Sequence, residues 1–567
     1  MIYFNHAATG YPKFPETIAA MKDALHSGGL STNRDSVISE DVKQKVFALR
    51  QEISKLLKAK EPHEIVFTAS DTIALNMLMQ GMQWHAGDVL LIDAMSHNAI
   101  ARPAEHLHQK YGVRVIPVKS VPYLRRVIAL NGKAIKAGVF SHGSNVTGDV
   151  IKAKTIGNIL YENGIPFILD AAQTIGLHPI DVELYHAAAV AFAGHKGLNG
   201  PQGTGGFYIR KSFSVDPILF GGTGTESMSL SPEVIYPESF EVGTPAMHDL
   251  LGLYASIQVI NKKYGGVAGY SEESREVAQY ACNKLVMIPQ IIVYGKKQKQ
   301  LPVVSFNVKG YSCKEIGDLL GRNGIVCRTG IHCAGMAIHE LRCEKEYGGT
   351  VRVSFGSTNT KKEVDKMIAV LKKQISDDTL SLGRIKQIMH RIKKREFTEE
   401  PYLIDGLDRV PFPQAESLEH VDTLIKSLAQ RGSMQRDEIA DLFQFNPRMS
   451  DFYGHAAQYL GFAKRIPYGF ETTKKGKEYL QASRKKRQEI LAEAILQHKP
   501  FYLVAEHYLE HGELPCYDDI YQIMRECHIV FNELRKVKRQ SNGMFIRRGT
   551  TLYRWVEILF ENAKIFE

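Results

Sequence analysis

The stretch AFAGHKGLNGPQGTGG, Ala191 to Gly206, sets one lysine, Lys196, directly after His195 and inside a run of glycines. The apolar segment Ala187–Phe192 precedes it and the strand-like GGFYIR follows. A lysine in a tight, glycine-lined loop suits an amine that must reach a carbonyl and form an imine, since small neighbours leave it a path to swing. Such an amine has to be partly neutral, which desolvation achieves by lowering its pKa. A phosphate-binding or solvated loop lysine looks the same when taken alone. A second chemical group stands 26 residues upstream, where FILDAAQTIG ends an apolar run in Asp170. A carboxylate there serves as a helix cap, as a solvated turn, or as partner to the pyridinium nitrogen of pyridoxal phosphate. In the last role it keeps the proton that makes the ring an electron sink, and Gln173 would hydrogen-bond the phenolic oxygen.

Both residues need strands to hold them. DVKQKVFALRQEISKLL has helical spacing and is followed by the short apolar EIVFTAS. TIALNMLMQGMQW, DVLLIDAM, NAIARPAEHLHQKY and VRVIPV continue the alternation of helix and strand, as do IGNILYENG and IPFILDAAQ. Strands alternating with helices of about ten residues or more predict an α/β fold with a parallel sheet covered on both faces. Ligands on such sheets gather at the carboxyl ends of strands, where Asp170 and Lys196 fall.

Composition narrows the class. The 567 residues correspond to about three or four domain equivalents. Hydrophobic content of 44% and charged content of 23% are those of a globular protein. No apolar run approaches the roughly 18–20 residues that cross a bilayer, and MIYFNHAATG lacks the layout of a secretory signal. Seven cysteines without regular spacing, and without a CxxC pair, predict a reducing compartment, no disulfide framework and no metal site. The expectation is a cytoplasmic protein without a membrane partner. The formal charge of +10 is spread along the chain, since residues 381–567 carry 30 Lys and Arg against 26 Asp and Glu, a net +4. Charge alone therefore marks no nucleic-acid footprint.

DAAQTIG…AGHKGLNGPQGTGG, SHGSNVTG, RTGIHCAG and VRVSFGSTNT together resemble the fold-type I, class V aminotransferases, and within them the cysteine desulfurase branch. The resemblance runs over about residues 1–372, from YFNHAATGYP to VDKMIAVLKK, with the motifs in the expected order. It implies a type I pyridoxal-phosphate transferase fold over residues 1–375. A large cofactor domain is expected over about 15–250, with a small domain from the N-terminal segment and about 260–375. Lys196 is similar to the Schiff-base lysine and Asp170 to the pyridinium partner. His97 resembles the residue that stacks on the ring. Asn145 and Gln173 would contact the ring oxygen and the substrate, while His195 and Thr72 would help hold the phosphate. Thr244 in EVGTPA is similar to a phosphate contact from a neighbouring subunit, which implies a homodimer. Arg352 would pair with the substrate α-carboxylate in the bidentate geometry that suits arginine. Two positions depart from the pattern. Asp71 takes the place of a small residue or a hydroxyl beside Thr72, and an acid there repels phosphate unless it points away. Ala193 stands for a Ser or Thr and removes a phosphate donor. Both predict a weaker hold on the cofactor.

CRTGIHCAGM distinguishes a desulfurase from a transaminase. Family logic requires a thiolate on a mobile loop that attacks the sulfur of bound L-cysteine, leaving a persulfide on the protein and L-alanine as product. Cys333 occupies that place, with Arg328 and His332 nearby to favour its thiolate. Taken alone, Cys333 also reads as an ordinary small residue under a loop. CAGMAIHELRCEKEYGG resembles the shorter-loop desulfurases, which hand sulfur to a partner protein. Cys343 is a relay or incidental, and Cys282, Cys313, Cys327, Cys516 and Cys527 read as structural. Lys196, once displaced by the substrate, would act as general base on its α-proton.

A basic helix and a proline-punctuated connector over 376–413 mark a boundary. Beyond it, 414–483 reads as helix, turn, helix and hairpin, and 484–567 as mostly helical. The first part resembles the winged-helix modules of restriction and defence proteins, and FIRRGTTLYRWVEILF is similar to their basic ending. A winged helix sets its second helix in the major groove with basic residues on phosphates. Arg448, Lys464, Arg465, Lys474, Lys475, Arg547 and Arg548 are the candidates, and protein contact by the same module is equally open. The leading expectation is a cysteine desulfurase that brings sulfur to DNA or a DNA-modification complex of the phosphorothioation type. The alternatives are a selenocysteine lyase and a cofactor-sensing transcriptional regulator.

Overall fold

The computed structural model describes residues 1–27, 37–223, 228–230, 233–378, 380–395, 397, 410–527, 529 and 541–564. It opens on β1 (Ile2–Tyr3). Then come β2 (Ile65–Thr68), β3 (Val89–Asp93), β4 (Arg114–Val118), β5 (Ile135–Ser141), β6 (Phe167–Asp170), β7 (Ala187–Ala193) and β8 (Gly205–Ile209), in one sheet. Their spatial order is β2-β8-β7-β6-β5-β3-β4. Every neighbouring pair is parallel except those made by β8, which runs antiparallel to β2 and β7.

Every residue of β6 (FILD) and β7 (AAAVAFA) is buried. The alternation of side chains along each strand feeds two separate apolar layers. Leu91, Leu169 and Val190 pack on one face with Leu49, Ile53, Leu160 and Leu253. Leu90, Ile168 and Ala189 pack on the other with Leu75, Leu78, Ile100 and Leu107. This double burial is why the strands read as unbroken apolar runs. Polar groups such as Asp170 stand at the strand ends of this inner sheet.

A smaller sheet follows within the same unit, Met1–Val370. It contains β9 (Ile291–Tyr294) and β10 (Val303–Val308); β11 (Ile325–Val326) lies outside it and pairs with β1 in parallel. With β12 (Arg328–Gly330) and β13 (Thr350–Ser354), the order of this antiparallel sheet is β12-β13-β10-β9.

Residues Leu371–Glu567 form a second unit. Of the connector expected over 376–413, residues 398–409 lie outside the described residues. Helices Leu418–Arg431, Arg436–Phe443 and Pro447–Tyr459 adjoin an antiparallel sheet of β14 (Ser433–Gln435), β15 (Ala463–Ile466) and β16 (Gly469–Thr472), ordered β14-β16-β15. One apolar core runs from Leu380 to Phe560, so segments 414–483 and 484–567 share a core instead of dividing at 483. Trp555 shows why: it is fully buried, stacks on Phe501 at 5.3 Å, and its indole N–H donates to the Ala415 carbonyl at 2.7 Å. Among the described residues no helix is long and apolar enough to cross a membrane.

Trp555→Ala is expected to destabilise the C-terminal unit by about 3–5 kcal/mol, the usual loss for a buried tryptophan. Urea unfolding followed separately in the two units should show an earlier C-terminal transition and an unchanged N-terminal one.

Candidate active site

A cavity of about 470 Å³, open mouth included, lies at the strand ends and is lined by Lys196, Asp170, Gln173, His97, Asn145, Thr72 and His195. Seven residues drawn from distant parts of the sequence thus meet in one place. Ser70, Asp71, Ser141, Gly143, Ala172 and Ala193 complete the wall. Asp170 closes β6 and Lys196 follows β7, its parallel neighbour. His97 caps the helix Asn98–Tyr111, accepting the Ala99 N–H at Nδ1 (3.1 Å). The glycines around Lys196 have a different purpose from the swinging path expected above. A Cβ on Gly197 would lie 2.2 Å from the Ile175 carbonyl oxygen, and one on Gly194 would lie 2.3 Å from Thr204 Oγ1. They let the lysine turn press against its own scaffold.

Burial governs the charges here. It lowers the Lys196 amine, with Arg352 and Arg328 adding to the effect, while Asp71 and Asp170 oppose it. Burial raises Asp170, against the Ala172 N–H on Oδ1 (2.9 Å), the nearby Lys196 and the Ser141 hydroxyl on Oδ2 (3.4 Å). Burial also lowers His97 and His195 to about 4, with Lys196 as a further cause in each. Asp71 does not point away from the site: it is 7% exposed, faces the cavity and is pushed well up by burial and by Asp170. Gln173 donates to the Ala7 carbonyl at 3.0 Å, which spends one of its two N–H groups.

Cys333 is exposed, and the Arg328 guanidinium approaches its sulfur at 3.3 Å. Its carrier is a turn held by hydrogen bonds at two successive carbonyls. His332 and Cys333 both have positive φ, 57° and 55°. Asn98 N–H binds the Cys333 carbonyl (2.8 Å) and the Asn145 amide binds the His332 carbonyl (2.9 Å). Two short helices, Gly335–Glu340 and Glu344–Tyr347, follow and bury Ala337, Ile338 and Tyr347 against Val146. His332 does not assist the thiolate as a cation. It is 2% exposed, its Nε2 faces Thr350 Oγ1 at 2.8 Å, and burial with Arg352 and Arg328 lowers it to about 3.

Arg352 lies outside the cavity lining and is 1% exposed, donating to the Asn145 carbonyl at 2.9 Å and to Asn5 Oδ1 at 3.3 Å. Its Nε is buried without a partner. Thr244 is exposed and also outside the lining. Cys343 is buried and pushed up to about 11, which excludes a relay in this conformation. Cys282, Cys313 and Cys527 are buried and Cys327 is half-buried, whereas Cys516 is exposed and donates to Asp519 Oδ2. Among the described residues no cluster could hold a metal ion.

The family model for aminotransferase class-V matches residues 2–367. The chain belongs to the class-V aminotransferases. A second model, for a domain of unknown function (DUF7226), matches residues 420–564. Relatives of this class-V chain include a probable cysteine desulfurase of Pyrococcus abyssi, 30% identical over 66% of this chain and 94% of that protein. A cysteine desulfurase of Cronobacter sakazakii is 29% identical over 65% and 92%. The apo structure of cysteine desulfurase from Thermococcus onnurineus superposes with a TM-score of 0.61 at 28% identity, over 66% of this chain and 95% of that one. The wall of the class-V cavity fits pyridoxal phosphate: an amine for the aldehyde, a buried acid for the ring nitrogen, and a helix start for the phosphate. His195 Nδ1 and Asp71 Oδ1 are buried there without partners.

In the second unit Arg448, Arg465, Lys474 and Arg547 are exposed, and Lys464 is exposed but paired with Glu471 at 3.2 Å. Two candidates for DNA contact are withdrawn. Arg548 is 2% exposed, and the Lys475 amine donates to the Leu460 carbonyl at 2.8 Å while lying over Phe462. Sequence reasoning also missed Ser70, Ser141, Asn5 and Thr350. Ser70 alone carried a signal, as the cap type before the run Asp71–Gln80.

His6, His97, His142, His195 and His332 are held neutral to about 3–4 by burial. Each binds a proton in the unfolded chain below its usual 6.5, so each contributes stability that is lost on acidification. Asp71, Asp93 and Asp170 are raised and act in the opposite sense, but are fewer. Stability of the N-terminal unit is therefore expected to rise with pH between about 4 and 6.5. Melting temperatures measured across that interval check the sign.

Proposed function

We propose that this chain is a pyridoxal-phosphate-dependent cysteine desulfurase that converts L-cysteine to L-alanine and keeps the sulfur as a persulfide on Cys333. The observation that carries the reading is an exposed thiol under the Arg328 guanidinium, on a turn hydrogen-bonded to Asn98, the residue next to the cavity-lining His97. The named relatives support it over the same two-thirds of the chain.

When bound, the cofactor supplies an electron-accepting ring that carries the charge left on the substrate α-carbon. Lys196, held toward its neutral form, would hold the cofactor carbonyl and, once freed by the substrate, take the α-proton at Nζ. Asp170 would hold the ring nitrogen and His97 would lie against the ring, while Thr72 and the start of the helix Asp71–Gln80 would take the phosphate. Arg328, beside Cys333, and the buried Arg352 behind it supply the positive charge that draws the α-carboxylate. Cys333 Sγ forms an S–S bond as the substrate C–S bond breaks. The β-carbon takes a proton as that bond breaks, the α-carbon recovers the proton held at Lys196 Nζ, and the product leaves as L-alanine. Phe220, Met228 and Leu230 are strongly exposed on the segment that leads to Thr244. That apolar surface supports a homodimer in which Thr244 serves the neighbouring site.

For the second unit, the order helix, strand, two helices and hairpin supports a winged-helix reading. The helix Pro447–Tyr459 carries Arg448 at its start, and the hairpin carries Lys464 and Arg465. This suits delivery of sulfur to DNA or to a DNA-modifying complex.

Intact mass before and after L-cysteine is expected to show the gain of one sulfur atom on the wild type and none on Cys333→Ser. No gain on either would remove the desulfurase and favour the regulator. Fluorescence anisotropy on duplex DNA should show binding that weakens steeply with salt and is reduced in Arg448→Glu/Arg465→Glu. Binding indifferent to salt and to that substitution would leave protein contact as the role of the module.

A further inference from the structure

Asp71 is the first residue of the helix Asp71–Gln80, whose cap Ser70 accepts the Ile73 N–H at 3.3 Å. The carboxyl is 7% exposed, and its Oδ1 is buried with no hydrogen-bond partner among the described residues. It shares the cavity wall with Thr72, His195 and Lys196. The charged groups acting on it are Asp170, which with burial favours its neutral acid form, and Lys196, which opposes. From the other elements packed around it come His195 after β7 and His97 at the start of the helix Asn98–Tyr111, both held neutral. β2 has no ionisable side chain and β8 has only Tyr208.

An ionised Asp71 leaves its buried Oδ1 without a donor and faces a second buried acid within range, a costly arrangement. A neutral carboxyl has one O–H that needs an acceptor. The start of a helix collects anions on its free N–H groups, so the acceptor that belongs there is a phosphate oxygen. A protonated carboxyl then presents what a hydroxyl would present, a single O–H, on a wall where Ala193 presents none.

We propose that Asp71 holds the cofactor as a neutral acid, donating its O–H to a phosphate oxygen, so that each molecule of pyridoxal phosphate is bound together with one proton. The inference rests on the cofactor reading above. Affinity in the wild type is then limited by the ionisation of Asp71, falling about tenfold per pH unit once that ionisation is passed. Asp71→Asn keeps a donor without an ionisation.

The test is equilibrium titration of the full-length apoprotein with pyridoxal phosphate from about pH 6 to about pH 9, read by bound-cofactor absorbance and the ³¹P resonance. Pyridoxal, which lacks the phosphate, is the second probe. The expected result is a wild-type affinity that falls with pH more steeply than that of Asp71→Asn or Asp71→Thr, with pyridoxal affinity equal in all three. Parallel profiles for wild type and both variants would overturn the inference. So would a difference that persists with pyridoxal, since Asp71 would then act on the ring. Wild-type protein that folds but binds no pyridoxal phosphate at any pH would overturn the cofactor reading itself.

Discussion

Three ionisable side chains, Lys196, Asp170 and Asp71, are held at the edge of a sheet that is apolar on both faces, and the rest of the site is arranged around that burial. Each would be cheaper in water. Together they offset one another: the acids support the charged amine, and the amine supports the charged acids. The balance leaves a lysine poised toward neutrality next to acids poised toward protonation. Neutrality is the state an imine-forming amine requires, whereas Asp170 serves a ring nitrogen as a carboxylate, the form that Lys196 and a pyridinium proton beside it favour against burial. The two apolar layers that flank β6 and β7 make this possible by keeping water off everything except the strand ends.

Neutral histidines extend the same logic outward. His97, His195 and His332 surround two guanidinium groups and a lysine, and burial keeps them uncharged. The guanidinium that faces Cys333 is Arg328, at 3.3 Å from its sulfur, with Arg352 nearby and pushed down to about 9 by burial and by Arg328. A site built this way keeps its attraction for anionic substrate while its neutral histidines make fixed hydrogen bonds, His97 accepting from the Ala99 N–H and His332 donating to Thr350.

Much of this was legible in the sequence, for physical reasons that can be named. Runs such as FILD and AAAVAFA are short and apolar throughout, as doubly buried strands are, and Asp170 and Lys196 follow them at the strand ends. The departures at Asp71 and Ala193 were visible, but the direction of the Asp71 side chain was not, because Ser70 caps the helix and turns the acid inward. Tertiary contacts hid the remainder. His332 looked like a cation beside a thiol until Thr350 and burial claimed its ring. Arg548 and Lys475 looked like surface charges until a core and a carbonyl claimed them. The glycines of the lysine loop read as room for motion, whereas backbone pressed against Ile175 and Thr204 demands them.

Asn145 gives the site a property that no single residue has. Its carbonyl receives the Arg352 guanidinium and its side-chain amide holds the His332 carbonyl, one bond from the residue that bears the thiol. That thiol rides on two successive left-handed residues, a backbone state that stores about 1–3 kcal/mol apiece and relaxes when released. One asparagine therefore bridges the buried guanidinium and the thiol-bearing turn, so the position of the sulfur is set by the same residue that fixes Arg352.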